Sequence, residues 1–161
     1  MARVLVVDDD EGVRTFMADV LEDAGHTVEQ AADGQAALRM LERRSFPLVV
    51  TDLKMPRMDG MALVDAIRAA HPDTEVIVVT AHGSVDNAVQ AMKAGAFDFI
   101  QKPLSGPEEL EQVAARALER HRLRAIREAG RSAGLPPLSY GAPAMQRVTD
   151  ALRKVAVTDA T

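Results

Sequence analysis

Acidic, hydroxyl and amine side chains follow short apolar segments at separate points of the sequence. They are Asp8, Asp9, Asp10, Asp52, Thr80 and Lys102. Carboxylates that converge around a single amine raise one another's pKa unless a cation is bound. Oxygen ligands without His or Cys favour a hard ion, and Mg²⁺ accepts a few carboxylates while it keeps several waters. If the fold brings the segment ends together, these residues predict a magnesium site.

The same groups could also accept a phosphoryl group. Asp52 is the candidate nucleophile because it is the lone acid at the end of the apolar segment 48–51. Its carboxylate would form an aspartyl phosphate, while Mg²⁺ and Lys102 neutralise the phosphoryl oxygens. This chemistry requires that residues far apart in the sequence meet at one place in the fold.

Each of these residues also has an ordinary structural interpretation. Asp8 to Asp10 could cap the helix that follows, because Asp is favoured at helix N-termini. Thr80 could be a β-former at the end of its strand, and Lys102 could be a surface lysine. The joint occurrence of the residues favours the chemical interpretation, with Asp10 as the helix cap.

The sequence alternates five times between a strand-like apolar segment and a segment with the apolar stripe of a helix. These elements would position the candidate residues. The predicted strands are 4–7, 27–31, 48–51, 75–80 and 98–101, and a helix follows each of them. Short connections between such units imply a parallel sheet with helices on both faces, since the crossovers are right-handed. Ligands of these α/β sheets bind at the carboxyl ends of the strands. The candidate residues would therefore share one edge of the sheet.

The apolar stripes predict which side of three helices faces the sheet. The first stripe comprises Val13, Phe16, Met17, Val20 and Leu21, and the fourth comprises Val85, Ala88, Val89 and Met92. The last helix is predicted from Pro107 to Glu128, with Leu110, Val113, Ala114, Ala117 and Leu118 toward the sheet. Beyond Leu118, the sequence fits a dimeric coiled coil and a solvated helix end equally well. From Gly130 to Pro137 the sequence predicts a flexible linker.

Composition excludes several classes of function. The 161 residues contain no Cys, which excludes disulfides, thiolate metal sites and cysteine catalysis. The net charge of −5 argues against broad nucleic-acid contact, which needs clustered Lys and Arg. No apolar run approaches the roughly 18 residues that span a bilayer. The apolar run at 4–7 is too short for the hydrophobic part of a secretory signal. We therefore expect a cytoplasmic chain without membrane contact.

Four motifs, in this order and spacing, resemble the receiver domain of bacterial two-component response regulators. They are VLVVDDD at 4–10, TDLKMPRMDG at 51–60, VVTAHG at 78–83 and FDFIQKPL at 97–104. The resemblance implies a flavodoxin-like (βα)5 fold and a phosphoryl group taken onto Asp52 from the phosphohistidine of a sensor histidine kinase. It also implies that the chain is not an enzyme for a separate substrate, but a phosphoacceptor that assists its own phosphorylation and dephosphorylation.

The resemblance implies a ligand set for Mg²⁺. Asp8 and Asp9 look like the acidic pair that holds the metal together with Asp52. The main-chain carbonyl of Lys54 looks like a further ligand. Mg²⁺ is the only cofactor that the resemblance implies.

The resemblance also implies residues that contact the phosphoryl group or respond to it. Lys102 looks like the lysine that contacts a phosphoryl oxygen, and Thr80 looks like the switch hydroxyl. Phe99 stands at the place of the switch aromatic, but it departs from receivers with Tyr there because it offers no hydroxyl. Pro103 would follow a cis peptide bond.

Residues 81–104 resemble NtrC-type regulators, which activate sigma-54 RNA polymerase, and residues 140–161 are similar to the opening of their AAA+ ATPase domain. The resemblance implies a receiver over 1–120, a helical extension and linker over 121–140, and an incomplete AAA+ start over 141–161, ending before the Walker A motif. ATP hydrolysis and contacts with sigma-54 RNA polymerase and DNA would then belong to domains absent from this chain. A homodimer is also expected.

The residues alone do not exclude two functions of other classes. An aspartyl-phosphate phosphatase or phosphotransferase would use the same nucleophile, but it needs a second Asp two residues later, where this chain has Lys54. A flavodoxin-like binding module that is never phosphorylated would not need Asp52 or Lys102. A small phosphodonor with Mg²⁺ distinguishes the three functions.

Overall fold

The computed structural model describes residues 2–80, 85–104 and 106–132. The predicted linker beyond residue 132 and the predicted AAA+ start at 141–161 lie outside these residues, as do positions 81–83 of the third motif. Within the three described ranges, no helix has the length and apolar character needed to cross a membrane.

Five strands and five helices alternate along the described residues. They are β1 (Arg3–Val7), α1 (Glu11–Asp23), β2 (Thr27–Ala31), α2 (Gly34–Arg43), β3 (Leu48–Asp52), α3 (Gly60–Ala70), β4 (Glu75–Thr80), α4 (Val85–Ala94), β5 (Asp98–Gln101) and α5 (Pro107–Ser132). All neighbouring strands pair in parallel, in the order β2-β1-β3-β4-β5. The predicted α/β fold with a parallel five-stranded sheet is confirmed.

The central strands β1, β3 and β4 carry almost continuous apolar sequence because helices cover both faces of the sheet. Successive residues of a strand point to opposite faces. Leu5 and Val7 accordingly join the apolar cluster on the side of α2, α3 and α4, whereas Val4 and Val6 join the cluster on the side of α1 and α5. The buried strands form a rigid platform, and their carboxyl ends emerge at one edge.

Helix α4 faces the sheet with a different stripe from the predicted one. Ala88 and Ala91 are buried, whereas Val89 and Met92 are 47% and 41% exposed, so the prediction was wrong for these two residues. Two alanines on consecutive turns allow the helix backbone to lie close to the strands, which turns the larger side chains outward. In α1, Phe16 is likewise exposed although its stripe predicted burial.

Helix α5 extends further than predicted. It continues over 26 residues to Ser132, so the prediction that Gly130 opens a linker was wrong. A single glycine costs a helix only about 1 kcal/mol relative to Ala, which is too little to end an established helix. The first unit of the chain ends within this helix, at Arg122. In the first unit, α5 buries its predicted face through Leu110, Val113, Ala114 and Ala117.

Candidate functional site

The end of β1 places a buried carboxylate at the edge of the sheet. Asp8 is 0% exposed, and Asp9 beside it is exposed. The N–H of Asp10 donates to Asp8 Oδ1 at 2.9 Å, and Arg14 Nη1 donates to the main-chain oxygen of Asp8 at 2.7 Å. Asp10 also accepts from the N–H of Val13, which makes it the N-cap of α1. The start of α1 thus fixes Asp8 in place.

Asp52 is the last residue of β3 and is almost fully buried. The hydroxyl of Thr51 donates to the main-chain oxygen of Asp52 at 2.9 Å. The N–H of Leu53 donates to the oxygen of Val79 on β4 at 3.2 Å, which continues the sheet pairing past Asp52. The nearby main-chain N–H of Lys54 slightly lowers the pKa of the carboxylate. The strand therefore holds the main chain of Asp52, and the following loop helps to orient its carboxylate.

Three carboxylates and one ammonium meet at this edge. Oxygens of Asp8, Asp9 and Asp52 lie within 4.8 Å of one another. Nζ of Lys102 lies 3.2 Å from Asp8 Oδ2 and 3.4 Å from Asp52 Oδ2. These four residues are called the acidic site below. Its donors to a metal are oxygens alone, partly buried and partly open to water, which suits Mg²⁺.

The acidic site has an excess of negative charge. Burial and the neighbouring charge of Asp8 raise the pKa of Asp52 above its ordinary value, although Lys102 opposes this. Burial works against the charge of Lys102, but the carboxylates of Asp52 and Asp8 outweigh it and raise the pKa of the lysine. Lys102 therefore stays charged at neutral pH, and a bound cation would relieve the remaining repulsion.

The other predicted residues, Thr80, Phe99 and Pro103, are not among the four residues of the acidic site. The Thr80 hydroxyl is buried and has no hydrogen-bond partner among the described residues. Its main-chain oxygen accepts from the N–H of Lys102 at 2.7 Å. Phe99 on β5 is half-buried and lines a groove of about 370 Å³ along α4. The peptide bond between Lys102 and Pro103 is cis.

Two arginine contacts were missed from the sequence, a hydrogen bond and an ion pair. Arg14 holds the main chain of Asp8, and Arg57 forms an ion pair with Asp33 at 2.7 Å. Asp33 lies at the start of α2 and Arg57 in the loop after β3, so neither periodicity nor spacing pairs them. The only sequence signal is that Arg57 belongs to the same Pro- and Gly-containing segment as Lys54.

Substituting Asp52 by Asn should stabilise the metal-free protein at pH 7. The raised pKa of Asp52 means that the folded state binds its proton more tightly than the unfolded state, so ionisation above that pKa costs stability. We expect the melting temperature of Asp52→Asn to exceed that of the wild type by a few degrees, since 1 kcal/mol corresponds to about 2–4 °C at this chain length. The difference should shrink as the pH falls toward the ordinary value of 3.8.

Mg²⁺ binding should raise the melting temperature of the wild type more than that of Asp52→Asn. At about 100 times its dissociation constant, Mg²⁺ should add about 2.7 kcal/mol to the wild type through binding linkage. The gain should be smaller in Asp52→Asn, which has lost one carboxylate. A wild-type melting temperature that stays constant throughout a Mg²⁺ titration would contradict the predicted metal site.

The response regulator receiver domain is the family whose model matches this chain, over residues 4–115. The match covers most of the strands and helices described above and contains the whole acidic site. The chain therefore belongs to the response regulator receiver domain family, and the resemblance of the four motifs is confirmed. Domains of this family are the phosphoryl-accepting modules of two-component signalling.

Relatives and solved structures agree with this family. The C4-dicarboxylate transport transcriptional regulatory protein DctD of Rhizobium meliloti is 41% identical over 162 residues, covering 97% of this chain and 35% of the relative. The response regulator protein FleR of Pseudomonas aeruginosa is 42% identical over 117 residues, or 73% of this chain and 25% of the relative. This chain therefore spans about a third or less of these relatives' lengths.

A solved receiver domain has the same fold over nearly its whole length. The receiver domain of NtrX from Brucella abortus superimposes with a TM-score of 0.70 at 41% identity, covering 72% of this chain and 98% of that domain. A longer NtrX structure from Brucella abortus, in complex with ADP, has a TM-score of 0.76 at 36% identity and covers 98% of this chain and 34% of that one.

Proposed function

We propose that Asp52 accepts a phosphoryl group from the phosphohistidine of a sensor histidine kinase. The observation that carries this proposal is the meeting of the Asp52 carboxylate with Asp8 and Asp9 within 4.8 Å and with Lys102 at 3.4 Å. A carboxylate oxygen of Asp52 forms the new bond to phosphorus, and the bond from phosphorus to the donor nitrogen breaks. This proposal locates the chain in the cytoplasm, where the kinase's phosphohistidine is available.

The roles of the neighbouring residues follow from their positions. Asp8, Asp9 and Asp52 would hold Mg²⁺ with the main-chain carbonyl of Lys54, and the bound metal would supply positive charge to the phosphoryl oxygens. Lys102 neutralises another phosphoryl oxygen, because its ammonium already lies between two of the carboxylates. The same groups would assist dephosphorylation when water attacks phosphorus, so the chain would assist its own phosphorylation and dephosphorylation.

A phosphatase or phosphotransferase acting on a separate substrate is less well supported. The position two residues after Asp52 holds Lys54, whose side chain is exposed and cannot act as a general acid in the manner of a carboxyl group. A binding module that is never phosphorylated gives no account of the partly buried ammonium of Lys102 between two carboxylates.

The output of the chain is proposed from the resemblance to NtrC-type regulators. DctD carries the name of a transcriptional regulatory protein, and 97% of this chain aligns with 35% of its length. We assign 1–120 to the receiver, 121–140 to a helical extension and linker, and 141–161 to the start of an AAA+ domain. ATP hydrolysis and contacts with sigma-54 RNA polymerase and DNA would belong to the remaining two thirds of such a protein.

A small phosphodonor tests the proposed function directly. The chain is incubated with acetyl phosphate and Mg²⁺, and both bound phosphate and released phosphate are measured. Labelling that approaches one phosphoryl group per chain supports a receiver. Rapid turnover without accumulation supports a phosphatase, and neither labelling nor turnover supports a binding module.

Phosphorylation should change self-association through Thr80. Its buried hydroxyl has no partner among the described residues, so it is available to bond a phosphoryl oxygen. Movement of Thr80 would open space beside Phe99, and the two packings would change the surface formed by α4, β5 and α5. We expect beryllofluoride to change the homodimer constant by about 5- to 150-fold in sedimentation equilibrium, the usual range of allosteric coupling.

The Thr80→Ala variant separates the switch from phosphorylation. It should still be labelled by acetyl phosphate, but its homodimer constant should not respond to beryllofluoride. If Thr80→Ala shows the same change in association as the wild type, the hydroxyl is not the switch. If the wild type binds beryllofluoride without any change in association, this surface does not carry the response.

A further inference from the structure

The loop between β3 and α3, residues 53–59, contains a strained turn. Arg57 has a φ of 70°, in the left-handed region that side chains other than glycine rarely adopt. The N–H of Met58 donates to the oxygen of Pro56 at 2.8 Å and closes a three-residue γ-turn around Arg57. Such a conformation persists only where the surrounding structure holds it. Contacts of the neighbouring residues must therefore stabilise this turn.

The turn is held against the start of α2. Arg57 Nη2 lies 2.7 Å from Asp33 Oδ2, while Asp33 Oδ1 accepts from the N–H of Ala36 at 2.8 Å. Met58 packs on Gly34, where an added Cβ would come within 3.0 Å of the methionine side chain. An ion pair and an apolar contact thus fix two successive loop residues to one helix terminus.

The same loop is fixed to the acidic site at its other end. The N–H of Gly60 donates to the oxygen of Leu53 at 2.7 Å, and a Cβ on Gly60 would overlap the main-chain oxygen of Asp52. The main-chain N–H of Lys54 lies close enough to the carboxylate of Asp52 to lower its pKa slightly. The path of the loop between these anchors determines where both main-chain groups of Lys54 lie.

We propose that Asp33 and Arg57 are positioning residues for the acidic site. Their ion pair holds the strained turn, and the turn sets the position of the N–H of Lys54 against Asp52 and of the carbonyl of Lys54 toward a bound Mg²⁺. Only the part about Mg²⁺ rests on the proposed function, because the Lys54 N–H acts on the Asp52 carboxylate without metal.

The charge and burial of the pair suit this role. The Asp33 side chain is 11% exposed and that of Arg57 is 64% exposed, so solvent screens the pair only in part. The hydrogen bonds from Arg57 and from the N–H of Ala36 lower the pKa of Asp33, which keeps the carboxylate ionised at neutral pH. Without the pair, the loop would have to be ordered by Mg²⁺ itself, and the apparent affinity for the metal would fall.

The test is a double-mutant cycle on the full chain with Arg57→Asn and Asp33→Asn. Asn tolerates a left-handed conformation at 57 and still caps α2 at 33, so both variants should fold. Titration calorimetry with Mg²⁺ should show about tenfold weaker binding for each single variant, as for other outer contacts of metal ligands. The double variant should bind no more weakly than either single variant, because both remove the same interaction.

A second measurement needs no metal. In metal-free protein, hydrogen exchange at the N–H of Lys54 should be faster in both variants than in the wild type. Arg57→Lys, which restores a positive charge, should recover part of the Mg²⁺ affinity and part of the exchange protection. Arg44→Gln is the matched control, because it breaks an equally short ion pair with Glu29 at 2.6 Å that does not involve the loop.

The outcomes separate this inference from the proposed function. A wild type that binds no Mg²⁺ would overturn the proposed metal site, while faster exchange at Lys54 in both variants would still support the positioning role of the pair, and slower exchange would contradict it. A wild type that binds Mg²⁺, with variants of unchanged affinity and unchanged exchange, would overturn the positioning role. Additive losses in the double variant, or an equal loss in Arg44→Gln, would overturn it as well.

Discussion

The Asp52→Asn variant is expected to lose Mg²⁺-dependent phosphorylation by acetyl phosphate completely. Asn has nearly the same shape as Asp, but its amide is a poor nucleophile and cannot form a stable acyl phosphate. Asp8 and Asp9, the other carboxylates of the acidic site, would have to replace it. Asp8 is fully buried and is already engaged by Lys102 and by the N–H of Asp10, so it is poorly placed to attack.

The measurement is phosphate incorporation followed by intact mass. Asp65→Asn serves as the matched control, because Asp65 is an exposed carboxylate of α3 away from the edge of the sheet. It should be labelled like the wild type, and the fold of both variants should be unchanged in circular dichroism. Persistent incorporation in Asp52→Asn at another side chain would assign the nucleophile to that side chain instead.

That the residues of the acidic site come together could be predicted, because this requires only that their strands be buried and parallel. Continuous apolar runs at 4–7 and 48–51 indicate strands buried on both faces, and intervening helical stripes force parallel connections. Parallel strands present their carboxyl ends at the same edge, so Asp8, Asp52 and Lys102 meet whatever the details of packing. Three of the residues that follow the predicted strands come together in the structure, where Lys102 lies within ion-pair distance of both Asp8 and Asp52.

The side of α4 that contacts the sheet could not be predicted in the same way. Val89 and Met92 are more hydrophobic than Ala88 and Ala91, and a stripe of large apolar residues predicts burial. The structure instead buries the alanines, because the distance between helix and sheet decides which side chains fit. The pair Asp33 and Arg57 has no periodic signal at all, since it joins two loops whose relative position exists only in the folded chain.

The Lys102→Met variant should show opposite effects on metal binding and on phosphoryl transfer. Lys102 is the only ammonium within ion-pair distance of Asp8 and Asp52 among the described residues, so its loss removes a positive charge that competes with Mg²⁺. We expect tighter Mg²⁺ binding in titration calorimetry. The metal-free variant should melt at a lower temperature, because two buried carboxylates have lost their counter-ion, and saturating Mg²⁺ should restore it.

Phosphoryl transfer in Lys102→Met should nevertheless slow by about 10²–10³-fold, the usual effect of losing one group that stabilises charge in a transition state. A merely structural lysine would leave the rate unchanged once Mg²⁺ has restored stability, so the rate is measured at saturating metal. Lys93→Met is the control, because Lys93 is exposed on α4 and forms no contact with the acidic site. Equal labelling rates for Lys102→Met and the wild type would show that the ammonium only balances charge before the reaction and takes no part in it.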